Sequence, residues 1–127
     1  MFGDLHNHTT FSDGEYTPEE LIDAALGKGI RVLGISDHDT THGLREAQEH
    51  NRSLQAKRGG SLEHFLPGVE VSLCFKRDFF VGTLHYLVYM PPALLNDAAF
   101  LAEFNAVLEQ ARGQELTRAR IRALNTY

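Results

Sequence analysis

Residues 4–14 read Asp4-Leu5-His6-Asn7-His8-Thr9-Thr10-Phe11-Ser12-Asp13-Gly14. As a β-strand running into a loop, their two-residue period sets Asp4, His6 and His8 on one face and Leu5 on the other. Two imidazoles then converge on one point. That suits Zn²⁺, Mn²⁺ or Fe²⁺, for which neutral imidazole and carboxylate oxygen are ordinary ligands. His-x-His also arises on surfaces by chance, so its weight depends on the rest of the chain.

Outward from this stretch, Thr17-Pro18-Glu19-Glu20 sets Thr at N-cap, Pro at N1 and Glu at N3, a capping box with the favoured first residue. The helix that follows carries Leu21, Ile22, Ala25 and Leu26 on one face and should stop near Gly27 to Gly29. Ile30 to Ser36 is an apolar run of strand length ending at Asp37-His38-Asp39, and both of its faces read as buried, as in a parallel strand covered by helices. A weaker amphipathic helix with Leu44, Ala47 and Leu54 spans about 43–58 and ends before Gly59-Gly60. A third strand, about 65–72, enters through Pro67-Gly68 and carries Glu70. The run from Phe79 to Tyr89 carries His85. The polar link before it, Lys76-Arg77-Asp78, is too short for a crossover helix, so the pair should be antiparallel. From about Asn96, Phe100, Phe104, Val107, Leu108 and Ala111 follow helical spacing. Gly113 then interrupts the phase before a second stripe of Leu116, Ile121 and Leu124.

His8, His38 and Glu70 recur at intervals close to one strand-plus-helix unit, each at or beside the expected C-terminal end of a strand. Repeated β/α units with polar strand ends are how a barrel builds an active site. Ionisable groups at the end of a buried strand need charge partners or a metal, which favours His38 as a ligand, while Asp39 or Thr40 suits a helix cap. Alone, Glu70 reads as a strand carboxylate facing solvent and His85 as a core histidine; the company they keep makes them ligand candidates. Asp13 fits either a turn completed by Gly14 or a ligand near His8. His42, His50 and His64 lack matching partners and read as surface residues.

With 127 residues, 43% of them hydrophobic and 23% charged, the chain has the size and composition of one soluble domain. Its net charge of −5 argues against binding nucleic acid through a basic surface, but not against a nucleotide or short oligonucleotide held by metals. Lone Cys74 makes no intrachain disulfide and reads as packing in a reducing compartment. The polar N-terminus lacks a signal peptide, and the run 79–95, broken by His85 and Pro91-Pro92, falls short of a membrane span. These features read as cytoplasmic.

Four motifs in order, Asp4-Leu5-His6-x-His8-Thr9-x-x-Ser12-Asp13-Gly14, Ser36-Asp37-His38-Asp39-Thr40, Pro67-Gly68-Val69-Glu70-Val71-Ser72 and His85-Tyr86-Leu87, resemble the successive N-terminal motifs of the PHP (polymerase and histidinol phosphatase) superfamily. The branch most similar is that of stand-alone metal-dependent phosphoesterases acting on nucleotides or RNA 5′ ends. The resemblance implies an α/β fold, the N-terminal half of a distorted (β/α)7 TIM-like barrel, with two or three divalent ions (Mn²⁺, Fe²⁺ or Zn²⁺, with Mg²⁺ a further candidate) at its strand ends. Carried over, His6, His8 and Glu70 hold one ion, Glu70 bridges to a second also bound by His85, and Asp13 and His38 belong to a third, with Asp37 orienting a ligand from behind. Residues 1–127 are then a single, incomplete domain whose later ligands lie elsewhere. Its open edges favour self-association.

The implied substrate is a phosphorylated small molecule or an oligonucleotide end, with no membrane partner. Arg112, Arg118, Arg120 and Arg122 suit phosphate contacts or a solvated helix face. A nuclease module of a DNA polymerase or repair system is a second enzymatic reading, and histidinol phosphatase a weaker one, because Ser12-Asp13-Gly14 is unlike that branch's His-containing turn. From another class comes a non-catalytic metal-binding or assembly fragment.

Overall fold

The computed structural model describes residues 2–57 and 60–111. Its elements run β1 (Phe2–Asp4), α1 (Pro18–Gly27), β2 (Ile30–Ile35), α2 (Leu44–Ala56), β3 (His64–Arg77), β4 (Phe80–Tyr89), a 3₁₀ turn (Pro92–Asn96) and α3 (Ala98–Ala111). The expected phase break at Gly113, the stripe of Leu116, Ile121 and Leu124, the four arginines from Arg112 to Arg122, and Gly59 lie outside the described residues.

One sheet has the order β1-β2-β3-β4. β1, β2 and β3 are parallel, and β4 returns antiparallel to β3. The hairpin is tighter than the sequence suggests, because Lys76 and Arg77 belong to β3 and only Asp78 and Phe79 make the turn. Pro67 lies inside β3, opposite Ile35. It lacks an N–H to donate, but its carbonyl accepts from the Met90 amide at 2.9 Å and ties the segment to the chain that follows β4.

The helices form for the reasons written in their ends. Thr17 accepts from the Glu20 amide at 3.3 Å and Glu20 answers to the Thr17 amide at 3.0 Å, completing the capping box. Asp97 caps α3 through the Phe100 amide at 2.9 Å, so that helix starts two residues later than its periodicity implied. Its fully buried positions are Leu101 and Leu108, while Phe100 and Phe104 stack beside them with centroids 5.7 Å apart.

Alternation along the strands separates two faces. Leu33 and Ile35 of β2 and Phe65, Val69, Val71 and Leu73 of β3 are buried with Leu21, Ile22, Ala25, Leu44 and Ala47 of the helices. The first half of β2, 30–32, is only half-buried, so the expectation of burial on both faces holds for its second half alone. Gly68, Glu70 and Ser72 point the other way, and their β4 partners are Tyr89, Leu87 and His85. The Tyr89 hydroxyl reaches from one edge strand to the Leu5 carbonyl just past the opposite edge strand. Such a bond requires the sheet to curl, and the result is half of a TIM-like barrel with its concave face inward. Among the described residues, no helix is long and apolar enough to cross a membrane.

Candidate metal centre

β1 ends at Asp4, so His6 and His8 stand in the following loop rather than on a continuing strand. The loop stays against β2 by other bonds. The Asn7 carbonyl accepts from the Ser36 amide at 2.8 Å, and the Asn7 side chain donates to the Gly34 carbonyl at 3.2 Å. A Cβ at Gly34 would sit 2.3 Å from the Leu5 carbonyl oxygen, so only glycine admits this crossing. Further on, the Thr9 carbonyl accepts from the Ser12 and Gly14 amides at 3.0 and 2.9 Å, which turns the chain back toward His8.

Asp37 is 1% exposed and holds that turn. Its carboxylate accepts from the Thr9 amide at 2.6 Å, the Thr9 hydroxyl at 2.7 Å and the Ser12 hydroxyl at 2.7 Å. It therefore touches the loop that carries His8 and Asp13 rather than an imidazole.

Beyond β2 the ladder to β3 resumes. The Glu70 amide donates to the Asp37 carbonyl and the Asp39 amide to the Glu70 carbonyl, each at 3.1 Å, which sets His38 opposite Glu70. Asp39 closes this bridge in a left-handed conformation, φ 53°. Its carboxylate accepts from the Ser72 amide at 2.8 Å. That bond corrects the expectation that Asp39 or Thr40 caps the next helix: the N-cap of α2 is Gly43, which supplies no side-chain bond, and the Thr40 hydroxyl contacts His42 Nδ1 at 2.7 Å.

These constraints gather the other five candidate ligands about Glu70, whose side chain is 7% exposed. Glu70 Oε2 lies 2.7 Å from both His6 Nε2 and His8 Nε2, which are 3.0 Å apart, and Oε1 lies 2.9 Å from His85 Nδ1. His38 stands between, with Nδ1 3.8 Å from Glu70 and Nε2 3.5 Å from Asp13. Asp13 Oδ1 is 2.6 Å from His8 Nδ1. Three sets have ligand atoms mutually within 4.8 Å: His6-His8-Glu70, His8-Asp13-His38 and His38-Glu70-His85. Relative to the grouping expected from sequence, His38 joins Glu70 and His85, and His8 joins Asp13 and His38.

Two observations test the cluster against a cation. His38 Nδ1 is buried with no hydrogen-bond partner, an orphan that a metal would satisfy. His8 donates from Nδ1 to Asp13, so its neutral form turns a bare lone pair toward Glu70 Oε2 at 2.7 Å. Two such atoms repel unless a proton or a cation lies between them. The donor set of imidazole and carboxylate fits Mn²⁺, Fe²⁺ or Zn²⁺.

The carboxylates are held in their charged form. Burial raises the Glu70 carboxyl, but the hydrogen bond with His6 and the charges of His38, His6 and His8 outweigh it and leave it below the ordinary range. The hydrogen bond with His8 lowers Asp13.

Of the histidines read as surface residues, His42 and His64 are exposed, but His50 pairs with Asp23 at 2.8 Å, tying α2 to α1. Sequence reasoning missed Thr9 and Ser12 as the partners of Asp37. The only available signal was a run of hydroxyls beside a candidate ligand, which does not reveal a contact 28 residues away.

The PHP domain profile matches residues 4–119. The 5′-3′ exoribonuclease Rnm of Escherichia coli is 44% identical over 69 residues, 54% of this chain and 22% of that protein. The 3′,5′-nucleoside bisphosphate phosphatase of Chromobacterium violaceum is 45% identical over 74 residues, 58% of this chain and 24% of that protein. The match thus spans about a quarter of those relatives. A solved protein from Bifidobacterium adolescentis, described as a metal-dependent phosphoesterase, superposes with a TM-score of 0.54 at 25% identity over 94% of this chain and 42% of its own.

Proposed function

The chain belongs to the PHP domain family, and from that premise we propose that it is a metal-dependent phosphoesterase, or the N-terminal portion of one, acting on nucleotide phosphates or short oligonucleotide 5′ ends. The observation that carries this reading is the gathering of four imidazoles and Asp13 about one buried carboxylate. His6, His8 and Glu70 would hold one divalent ion, Glu70 with His85 and His38 a second, and Asp13 with His38 a third. Such ions, when bound, supply the charge that draws in a phosphoryl group and the acidification of water that attack on phosphorus requires.

The remaining work falls to the chain. Glu70, buried on a strand, offers two oxygens toward different histidines and so suits a bridge. Asp13 fixes the His8 ring through Nδ1 and leaves Nε2 aimed at the centre, as carboxylate partners of ligating histidines do. His6 and His85 are about half exposed, which leaves the cluster open to a phosphate from the concave side. The named activities of the ribonuclease and bisphosphatase relatives support nucleotide phosphates as the substrate class.

We propose in addition that the open sheet favours self-association, supported by the bare apolar residues of β4.

Hydrolysis of a nucleoside monophosphate with Mn²⁺ tests the activity. The expected result is phosphate release that is abolished by chelator and by His8→Ala and restored to the parent protein by added metal. No release with Mn²⁺, Fe²⁺ or Zn²⁺ would favour a non-catalytic metal-binding fragment.

A further inference from the structure

Beside the histidine cluster lies a cleft of about 690 Å³ whose walls include Phe11, Asp13, His38, His42 and Asn105. Asp13 and His38 belong to the cluster as well, so the cleft adjoins it. The volume is that of a small-molecule site.

One wall is aromatic and fixed. An exposed phenylalanine by itself needs no explanation. Phe11, however, is 43% exposed while one edge of its ring packs against Gly43, where an added Cβ would come within 2.7 Å of Phe11 Cδ2. Its amide donates to the Thr9 hydroxyl at 3.2 Å, in the turn that Asp37 fastens. The ring is thus held from behind and bare in front. Asn105, also in the lining, is already committed, accepting from the Thr41 amide at 3.0 Å and donating to the Thr41 hydroxyl at 2.7 Å and the Leu101 carbonyl at 2.9 Å. It shapes the cleft and leaves recognition to the ring.

We propose that this cleft receives the nucleoside leaving group of the phosphoester, with Phe11 the specificity-determining residue on which the base stacks; this rests on the phosphoesterase reading above. Stacking needs only a π-face, so a preformed aromatic wall selects for a planar ring over an alkyl group without specifying which base.

Adenosine, which carries no phosphate, is the probe. Its binding to the parent protein, Phe11→Ala and Phe11→Leu is measured by NMR titration or calorimetry. Adenosine should bind the parent, and both variants should weaken it roughly 5- to 100-fold while manganese content stays unchanged. Phe11→Leu retains apolar packing against Gly43, so the test survives if the alanine variant fails to fold. No adenosine binding, or equal binding by the parent and Phe11→Leu, would overturn the proposal. Hydrolysis of glycerol phosphate, which has no ring, separates the two claims. Activity there without adenosine binding rejects the cleft alone. Adenosine binding lost in Phe11→Leu, without hydrolysis of any ester, supports the cleft and rejects the phosphoesterase.

Discussion

Asp37 illustrates how one residue organises the centre without joining it. Its three hydrogen bonds go to Thr9 and Ser12, and Thr9 is 0% exposed. Asp37→Ala leaves a buried amide and hydroxyl unpaired, at a cost of about 1–3 kcal/mol. The variant should show a lower urea midpoint and weaker Mn²⁺ binding, because the same turn aims Asp13 at His8. A midpoint equal to that of the parent would mean the turn holds without it. His8, His38 and Glu70 were legible because they recur at intervals close to one strand-plus-helix unit, and His6, Asp13 and His85 because they stand in motifs that resemble those of a known family. Asp37's partners and the left-handed Asp39 were not, since each depends on a contact between segments distant in sequence.

Among the elements, α1 and α2 meet through a pair of acids as well as through apolar contact. The Glu46 carboxyl is raised by its hydrogen bond to Glu19, then by burial and the Glu19 charge, and Glu19 is correspondingly lowered. Protonated Glu46 therefore donates to ionised Glu19. For a raised carboxyl the stabilisation is present at acid pH and is lost as pH rises through the folded value. At pH 7 the two charges repel across a partly buried contact. Glu46→Gln keeps the donor without the charge, and urea unfolding should find it more stable than the parent by up to about 0.5 kcal/mol at pH 7. The gain should shrink as the medium is acidified through the raised value; a gain that grows toward acid would reverse the assignment. The helices themselves could be read from local signals, as the Thr17 box demonstrates. The length of β3 and the two-residue turn after it could not, because pairing with β4 extends the strand through Lys76 and Arg77, whose polarity resembles a loop.

Among the described residues, the sheet is a curled half-barrel in which β4 is an edge strand with no partner on its outer side. On β4, Leu84, Tyr86 and Val88 are 41%, 55% and 40% exposed, although their β3 partners Leu73, Val71 and Val69 are buried. An apolar strip on a long, unpaired edge favours association. Light scattering should find a mass that rises with concentration, and Tyr86→Glu should shift it toward the monomer; one monomeric mass at all concentrations would count against that edge. Six side chains from four segments of this chain are proposed to form a metal centre. Elemental analysis of protein purified without chelator tests it most directly. The expected result is at least one equivalent of Mn, Fe or Zn per chain, largely lost in His8→Ala. A metal content near zero in the parent, unchanged by added Mn²⁺, Fe²⁺ or Zn²⁺, would contradict it.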